Sequence, residues 1–286
     1  MKTTKIQPSM KNEEVTKDYL SISEDFYSIQ CEGLSTGYPA YFIRLMNCNL
    51  RCGVSREFLR TCRTGDIDMN PETFRGDLHE EGKATWTCDS IPVWIGGHKK
   101  PLHYLIDRFN DLQIDDWIHS GRIHLIWTGG EPLMKVNQEC ISSFLELYDN
   151  LYPFNTIYNE VETNGTQIIS DRLFGKLDQI NCSVKLANCG HTDQERIVPA
   201  ALNRIMEHEN YWFKFVISTE EDMKEIEEDF VKPFEIPAHK ICMMPGLDDQ
   251  DNFHERTAFI LEMAKKYGYI GLTRLHISAW NKTTGV

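Results

Sequence analysis

Phe26-Tyr-Ser-Ile-Gln-Cys-Glu-Gly33, followed by Tyr41-Phe-Ile-Arg-Leu-Met-Asn-Cys-Asn-Leu-Arg-Cys52, decides the reading of this chain. An apolar strand runs into a loop that holds two cysteines, Cys48 and Cys52, with three residues between them. Two thiolates this close, on a loop at a strand end, are a starting point for an iron–sulfur cluster. Alone they are a weak signal. They gain meaning from Cys88-Asp-Ser90, which offers a third thiolate, and from Thr128-Gly-Gly-Glu-Pro132 and Glu162-Thr-Asn-Gly165, each behind a strand-like run.

Length and composition set the outer limits. The 286 residues allow one large α/β domain or two smaller ones, and either buries a sizeable core. Hydrophobic content of 41% and charged content of 26% describe an ordinary globular protein. A net charge of −13 argues against a duplex nucleic-acid binder, which needs basic phosphate contacts. No apolar run approaches a membrane span, and residues 1–17 are polar and lack the apolar centre of a signal peptide. Nine cysteines without the dense spacing of a disulfide scaffold are expected to be reduced cytoplasmic thiols, so a cysteine cluster suggests metal.

Residues 1–20 read as a flexible arm and 21–286 as one catalytic domain. Ser23–Gln30 and Ala40–Leu45 read as strands. Residues 53–87 carry 12 charged residues and four glycines in 35 positions, a surface excursion with one short helix near Glu57. From residue 100 the pattern becomes regular. Pro101–Leu112 fits a helix with Pro in its first turn. Ile123–Trp127, Thr156–Val161, Asn181–Lys185, Trp212–Ile217, Ile241–Met244 and Thr273–Ile277 read as strands. Ile141, Phe144, Leu145 and Tyr148 form one helical face, Ile197, Ala201 and Ile205 another, and Phe259, Met263 and Tyr267 a third. Thr219 is placed to cap an acidic helix. Strands alternating with helices imply parallel βαβ units. In such a layout ligands bind at the carboxyl ends of the strands. The cysteine loop, Thr128–Glu131, Glu162–Gly165 and Ser183-Val-Lys185 all fall there, so four motifs converge on one rim.

Cys88 and Cys62 compete for the third cluster position. Cys88 precedes Asp89-Ser90, polar groups suited to a ligand or cation, whereas Cys62 has no local feature beyond its sulfur. Cys31, Cys140, Cys182, Cys189 and Cys242 read as ordinary buried cysteines. Gly129-Gly130 permits close backbone approach and a ligand contact. Lys185, a rim lysine, suits an anionic ligand. Arg44 shares a strand face with Phe42, where its fork suits a carboxylate; a structural ion pair, for example with Glu32, is the competing reading.

Cys48-Asn-Leu-Arg-Cys52, Thr128-Gly-Gly-Glu-Pro132 and Glu162-Thr-Asn-Gly165 together resemble the radical S-adenosylmethionine superfamily. Within it, Ser28-Ile-Gln-Cys-Glu-Gly33, Gly37-Tyr-Pro39, Phe42-Ile-Arg-Leu45, Cys88-Asp-Ser90, Ser183-Val-Lys185 and Arg274-Leu-His276 resemble the 7-carboxy-7-deazaguanine synthase family, in order from about residue 26 to the end. The resemblance implies a modified, incomplete (β/α)6 barrel. It implies a [4Fe–4S] cluster held by Cys48, Cys52 and Cys88, and S-adenosylmethionine bound by Thr87, Asp89, Gly130, Glu131, Asn164, Ser183, Val184 and Lys185. The pterin substrate would meet Ile29, Gln30, Cys31, Glu32, Arg44, Thr128 and Val286, and Ser90 would ligate Mg²⁺. A flavodoxin or ferredoxin type electron donor, a homodimer and a cytoplasmic location follow from the same resemblance.

Three positions depart from the family pattern. Cys52 and Cys88 are separated by 35 residues instead of two, Cys31 stands where glycine is expected, and Ser90 and Val184 replace a threonine and a proline. Two rivals stay open at this point: another radical S-adenosylmethionine enzyme such as a glycyl-radical activase, and a non-catalytic metal-binding protein on the same fold.

Overall fold

The computed structural model describes residues 17–65, 67–78, 84–246, 250–281, 283 and 285–286. Nine strands form one open sheet in the order β3-β1-β2-β4-β5-β6-β7-β8-β9. They are β1 (Tyr19–Ile29), β2 (Pro39–Leu45), β3 (His98–Pro101), β4 (His124–Gly129), β5 (Tyr158–Thr163), β6 (Gln179–Cys182), β7 (Tyr211–Ile217), β8 (Ile241–Pro245) and β9 (Ile270–Gly271). β1 pairs antiparallel with β2 and β3, and every pairing from β2 onward is parallel. Six full parallel strands with a two-residue ninth strand at the edge make an incomplete, unclosed barrel, as the alternating pattern implied.

The strands sort their side chains by period two. Tyr41, Ile43 and Leu45 of β2, Val161 of β5, Ile180 of β6 and Phe213, Phe215 and Ile217 of β7 enter the main core. There they meet the helices Lys135–Leu151 and Pro199–Met206, whose Phe144, Tyr148, Leu202 and Ile205 are buried. The alternate positions face inward and are polar. Glu160 bonds His124, Gln179 and Asn181, and Gln179 reaches Ser35. This buried network forms the floor of the half-barrel, with the strand carboxyl ends above it.

Several boundaries differ from the sequence reading. β1 starts at Tyr19 and Leu20 is fully buried, so the segment read as a loose arm over 1–20 has its last two residues in the sheet; residues 1–16 lie outside the described residues. Pro101 ends β3 opposite Tyr19 instead of starting a helix, which begins at Tyr104. An edge strand tolerates a proline, because its missing N–H is not needed by a neighbour. β6 stops at Cys182, short of Lys185. Thr219 does not cap by its side chain; the Asp222 carboxylate accepts from the Ser218 and Thr219 N–H groups instead. The run read as a last strand over 273–277 turns into the helix Leu275–Trp280. Leu275 N–H donates to the Cys31 carbonyl and Arg274 is drawn into two ion pairs, which pull the chain off the sheet edge. Among the described residues no helix is long and apolar enough to cross a membrane.

Candidate active site

The loops after β2, β4, β5 and β6 line one cavity of about 840 Å³ at the strand carboxyl ends. The cysteine loop lies directly on the glycine pair. Gly130 N–H donates to the Leu45 carbonyl at 3.0 Å and Glu131 N–H to the Asn47 carbonyl at 2.8 Å. A Cβ on Gly130 would sit 1.9 Å from that Asn47 oxygen. The glycine is therefore required first by the chain's own crossing, and the same turn also borders the cavity.

Cys48, Cys52 and Cys88 all line this cavity. Residues 53–87 leave and return at one place. Gly53 N–H donates to the Cys189 carbonyl at 3.0 Å, Thr85 N–H to the Asn188 carbonyl at 2.9 Å, and the Trp86 indole to Asn188 Oδ1 at 2.9 Å. Both ends of the excursion are thus pinned to the same turn, Ala187–Cys189. Cys88 N–H then reaches the Cys52 carbonyl at 3.1 Å. In between, Ser55 caps the helix Arg56–Thr64, accepting from Phe58 N–H at 3.0 Å. That helix buries Cys62 in a small apolar cluster with Val54, Phe74, Ile91 and Trp94, and Cys62 does not line the cavity. Phe74, Gly76, Trp86 and Thr87 wall the cavity on this side.

Burial, with the Glu131 carboxylate and the Cys88 sulfur nearby, pushes the Cys48 thiol up to about 12. Cys52 is raised by its hydrogen bond with the Cys189 thiol and by burial, and Cys88 by burial and by Asp89. Three desolvated thiols become thiolates only beside positive charge, which a metal centre supplies. Among the described residues no group of three or more His, Cys, Asp or Glu side chains is arranged to hold a single ion. A four-iron cluster asks for a different arrangement, since each cysteine binds its own iron and the sulfurs surround a volume. Three cysteines around one cavity fit that need.

The opposite wall is polar and charged. Glu24 stands across from Arg44 in the β1–β2 register, and its carboxylate lies 3.5 Å from Arg44 Nε. The Arg44 guanidinium also lies over the Phe26 ring, which stacks on Phe42. Arg44 Nε is buried without a hydrogen bond. The competing ion pair with Glu32 does not form. Glu32 instead takes Lys214 at 2.6 Å and Arg274 at 3.0 Å. Arg274 continues to Asp89 at 2.7 Å. Glu162 accepts from Gln30 at 3.2 Å and Thr128 at 3.0 Å, and lies 3.9 Å from Lys214. Burial works against the charge on Glu32, but Lys214 and Arg274 outweigh it and hold this carboxyl well below its usual range.

Ile29, Gln30, Cys31, Glu32, Arg44, Thr128 and Val286 all border the cavity, as do Thr87, Asp89, Ser90, Gly130, Asn164, Ser183 and Lys185. Glu131 and Val184 do not border it. Glu131 is fully buried, accepting from Leu133 N–H, Thr163 Oγ1 and Asn164 N–H, and burial raises it to about 7. It ties the glycine turn to the turn after β5. Val184 packs in the core. Cys31 fits its place without strain: it is not among the described residues with left-handed backbone, and its thiol donates to the Ile29 carbonyl at 3.2 Å. Ser90 Oγ donates to Asp89 at 3.0 Å. The sequence reading did not assign Lys214, nor the role of Cys189 beside Cys52. A charge at the centre of Trp212-Phe-Lys-Phe-Val-Ile217, on the face alternate to Phe213 and Phe215, was the available signal for Lys214.

No protein-family model matches the chain. Curated relatives do. The 7-carboxy-7-deazaguanine synthase of Pyrobaculum aerophilum is 26% identical over 92% of this chain and 96% of its own. That of Halobacterium salinarum is 26% identical over 92% and 91%. Among solved structures, QueE from Escherichia coli superimposes with a TM-score of 0.54 over 90% of this chain and 95% of that one, at 18% identity, a likeness of fold. Over nearly its whole length the chain is a homologue of the 7-carboxy-7-deazaguanine synthases, built on the radical S-adenosylmethionine fold of QueE.

Proposed function

We propose that this chain is a radical S-adenosylmethionine lyase that converts 6-carboxy-5,6,7,8-tetrahydropterin to 7-carboxy-7-deazaguanine with loss of ammonia, in deazapurine biosynthesis of the queuosine or DNA-modification type. The observation that carries this reading is the division of one cavity between three cysteines and a charged, hydrogen-bonding wall built from Gln30, Glu32, Arg44, Thr128, Glu162 and Lys214. An activase acting on a protein chain gives no reason for such a wall.

When bound, the cluster and S-adenosylmethionine supply a hydrogen-abstracting 5′-deoxyadenosyl radical. The rest is positioning. Lys185, 3.0 Å from Ser183 Oγ and facing the Trp86 ring, offers the cofactor's carboxylate a cation. Arg44 offers its unused Nε and fork to the substrate carboxylate. Glu32 and Glu162, kept ionised by Lys214, accept from the N–H edge of the pterin. Residues 53–87 cover the cysteines and exclude water, which protects a radical from quenching. A flavodoxin or ferredoxin type donor supplies the electron, and a cytoplasmic homodimer is the form we expect.

The test is anaerobic reconstitution with iron and sulfide, then turnover of the carboxytetrahydropterin with dithionite and S-adenosylmethionine, followed by mass spectrometry. Formation of 7-carboxy-7-deazaguanine is expected. Cofactor cleavage without product points to another radical enzyme, and no cluster points to a binding protein.

Two predictions sharpen the reading. Arg44→Lys keeps the charge but loses the fork, and is expected to weaken pterin binding by roughly 1.5–3 kcal/mol with cofactor binding unchanged. Unaltered pterin affinity by calorimetry would assign Arg44 to Glu24 alone. The second concerns Mg²⁺, which suits Ser90 Oγ together with substrate oxygens and water. Chelation, or Ser90→Ala, is expected to slow product formation while 5′-deoxyadenosine still forms, and Ser90→Thr to retain activity. Full product formation by Ser90→Ala in chelator rules the metal role out.

A further inference from the structure

Cys189 stands apart from the other cysteines that read as core. It is fully buried, packs with Leu50 and Cys52, and has Cys48, Trp86 and Cys88 against the same small cluster. Its thiol and that of Cys52 are hydrogen-bonded to one another. Its carbonyl accepts from Gly53 N–H at 3.0 Å, so the backbone on both sides of the contact is fixed. The neighbouring Asn188 holds Thr85 and Trp86, and His191 accepts from Arg51 N–H at 2.9 Å. The turn that carries Cys189 is therefore the platform on which the cysteine loop is built.

We propose that Cys189 is a positioning residue of the metal centre: its thiol hydrogen-bonds to the Cys52 sulfur and raises the reduction potential of the cluster. This rests on the cluster reading above. The argument is electrostatic. A donor aimed at a ligand sulfur withdraws charge from it and favours the reduced cluster, and such hydrogen bonds are among the means by which proteins set these potentials. Three cysteines leave one iron for the cofactor, so a fourth sulfur serves as a donor to a ligand and not as a ligand. The contact survives cluster binding because both backbones are tied together, not only the two sulfurs.

The experiment compares wild type, Cys189→Ala and Cys189→Ser after anaerobic reconstitution. Iron and sulfide are counted, electron paramagnetic resonance is recorded with and without S-adenosylmethionine, and midpoint potentials are read by redox titration. Thermal melts of each apoprotein separate a folding defect from a lost hydrogen bond. We expect equal iron content and a cofactor-sensitive spectrum in all three. We expect Cys189→Ala to shift the one-electron reduction equilibrium several-fold toward the oxidised form, each tenfold being ~59 mV. Cys189→Ser, which keeps a donor, should lie nearer wild type. An unchanged midpoint in folded Cys189→Ala overturns the proposal. Iron lost from both variants makes Cys189 a ligand and overturns it as well. Wild-type protein that takes up no iron overturns the cluster reading together with the proposal, and its iron count tells that outcome from the others.

Discussion

Cys88→Ala is expected to abolish cluster binding, and Cys62→Ala to leave it intact. The two cysteines lie in one excursion and both are shielded from water, so burial alone does not separate them. Backbone placement does. Cys88 N–H is bonded to the Cys52 carbonyl and the Cys88 side chain borders the cavity, whereas Cys62 sits on the inner face of the helix Arg56–Thr64 among Val54, Phe74 and Trp94. The 35 intervening residues are no obstacle, because closure entropy grows only as the logarithm of loop length. The anchors at Gly53, Thr85 and Trp86 are formed with the chain's own platform turn, independently of any metal. Gly53 shows how close that closure is, since a Cβ there would lie 2.1 Å from the Trp86 carbonyl oxygen. Iron and sulfide counts after reconstitution, with the visible absorbance of the cluster, measure the outcome. We expect background iron and no cofactor cleavage for Cys88→Ala, and near wild-type values for Cys62→Ala, with the loss of a buried sulfur felt only as lower stability. The reverse pattern would move the third ligand to Cys62 and require the helix to unfold from its cluster.

The parallel sheet, the rim and the cysteine triad were legible because each leaves a local trace. Hydrophobic runs of strand length alternate with helical stripes, and Thr128–Glu131 and Glu162–Gly165 punctuate them at strand ends. What was not legible depended on pairing across the fold. Arg44 was visible as a charge on the Phe42 face, but its partner Glu24 follows from a β1–β2 register interrupted by a bulge between Ile22 and Glu24. Glu131 belongs to a motif that suggests a ligand contact, yet its carboxylate is consumed by Leu133, Thr163 and Asn164. Residues 273–277 alternate like a strand, and only the ion pairs of Arg274 with Glu32 and Asp89 explain why the chain bends into a helix there. Cys189 has no motif at all; its significance comes from a turn that lies 137 positions beyond Cys52 in the sequence and beside it in space.

Lys214→Met is expected to cost both stability and pterin affinity. Lys214 is 4% exposed, at the centre of β7, with its ammonium 2.6 Å from Glu32 and 3.9 Å from Glu162. Burial disfavours its charge, but the two carboxylates outweigh this and raise its pKa. Removing one partner of a buried pair costs about 3–5 kcal/mol, because the other charge is left without compensation. Glu32 keeps Arg274 and borders an open cavity, so the lower end of that range is expected. The sign with pH follows from the depressed pKa of Glu32. A carboxyl whose folded value lies below its unfolded one stabilises the fold above the unfolded value, and that contribution is lost as pH falls through the folded value. The gap between wild type and Lys214→Met should therefore be widest near neutrality and narrow as pH drops below about 4. Denaturant titrations across that range measure it. Adding Glu32→Gln to Lys214→Met should recover part of the loss, since the uncompensated charge is gone, and the shortfall from additivity gives the coupling. The double variant should not regain pterin affinity if Glu32 is an acceptor for the substrate. A Lys214→Met protein with wild-type stability at every pH would mean that water in the cavity, and not this lysine, carries the charge balance of the wall.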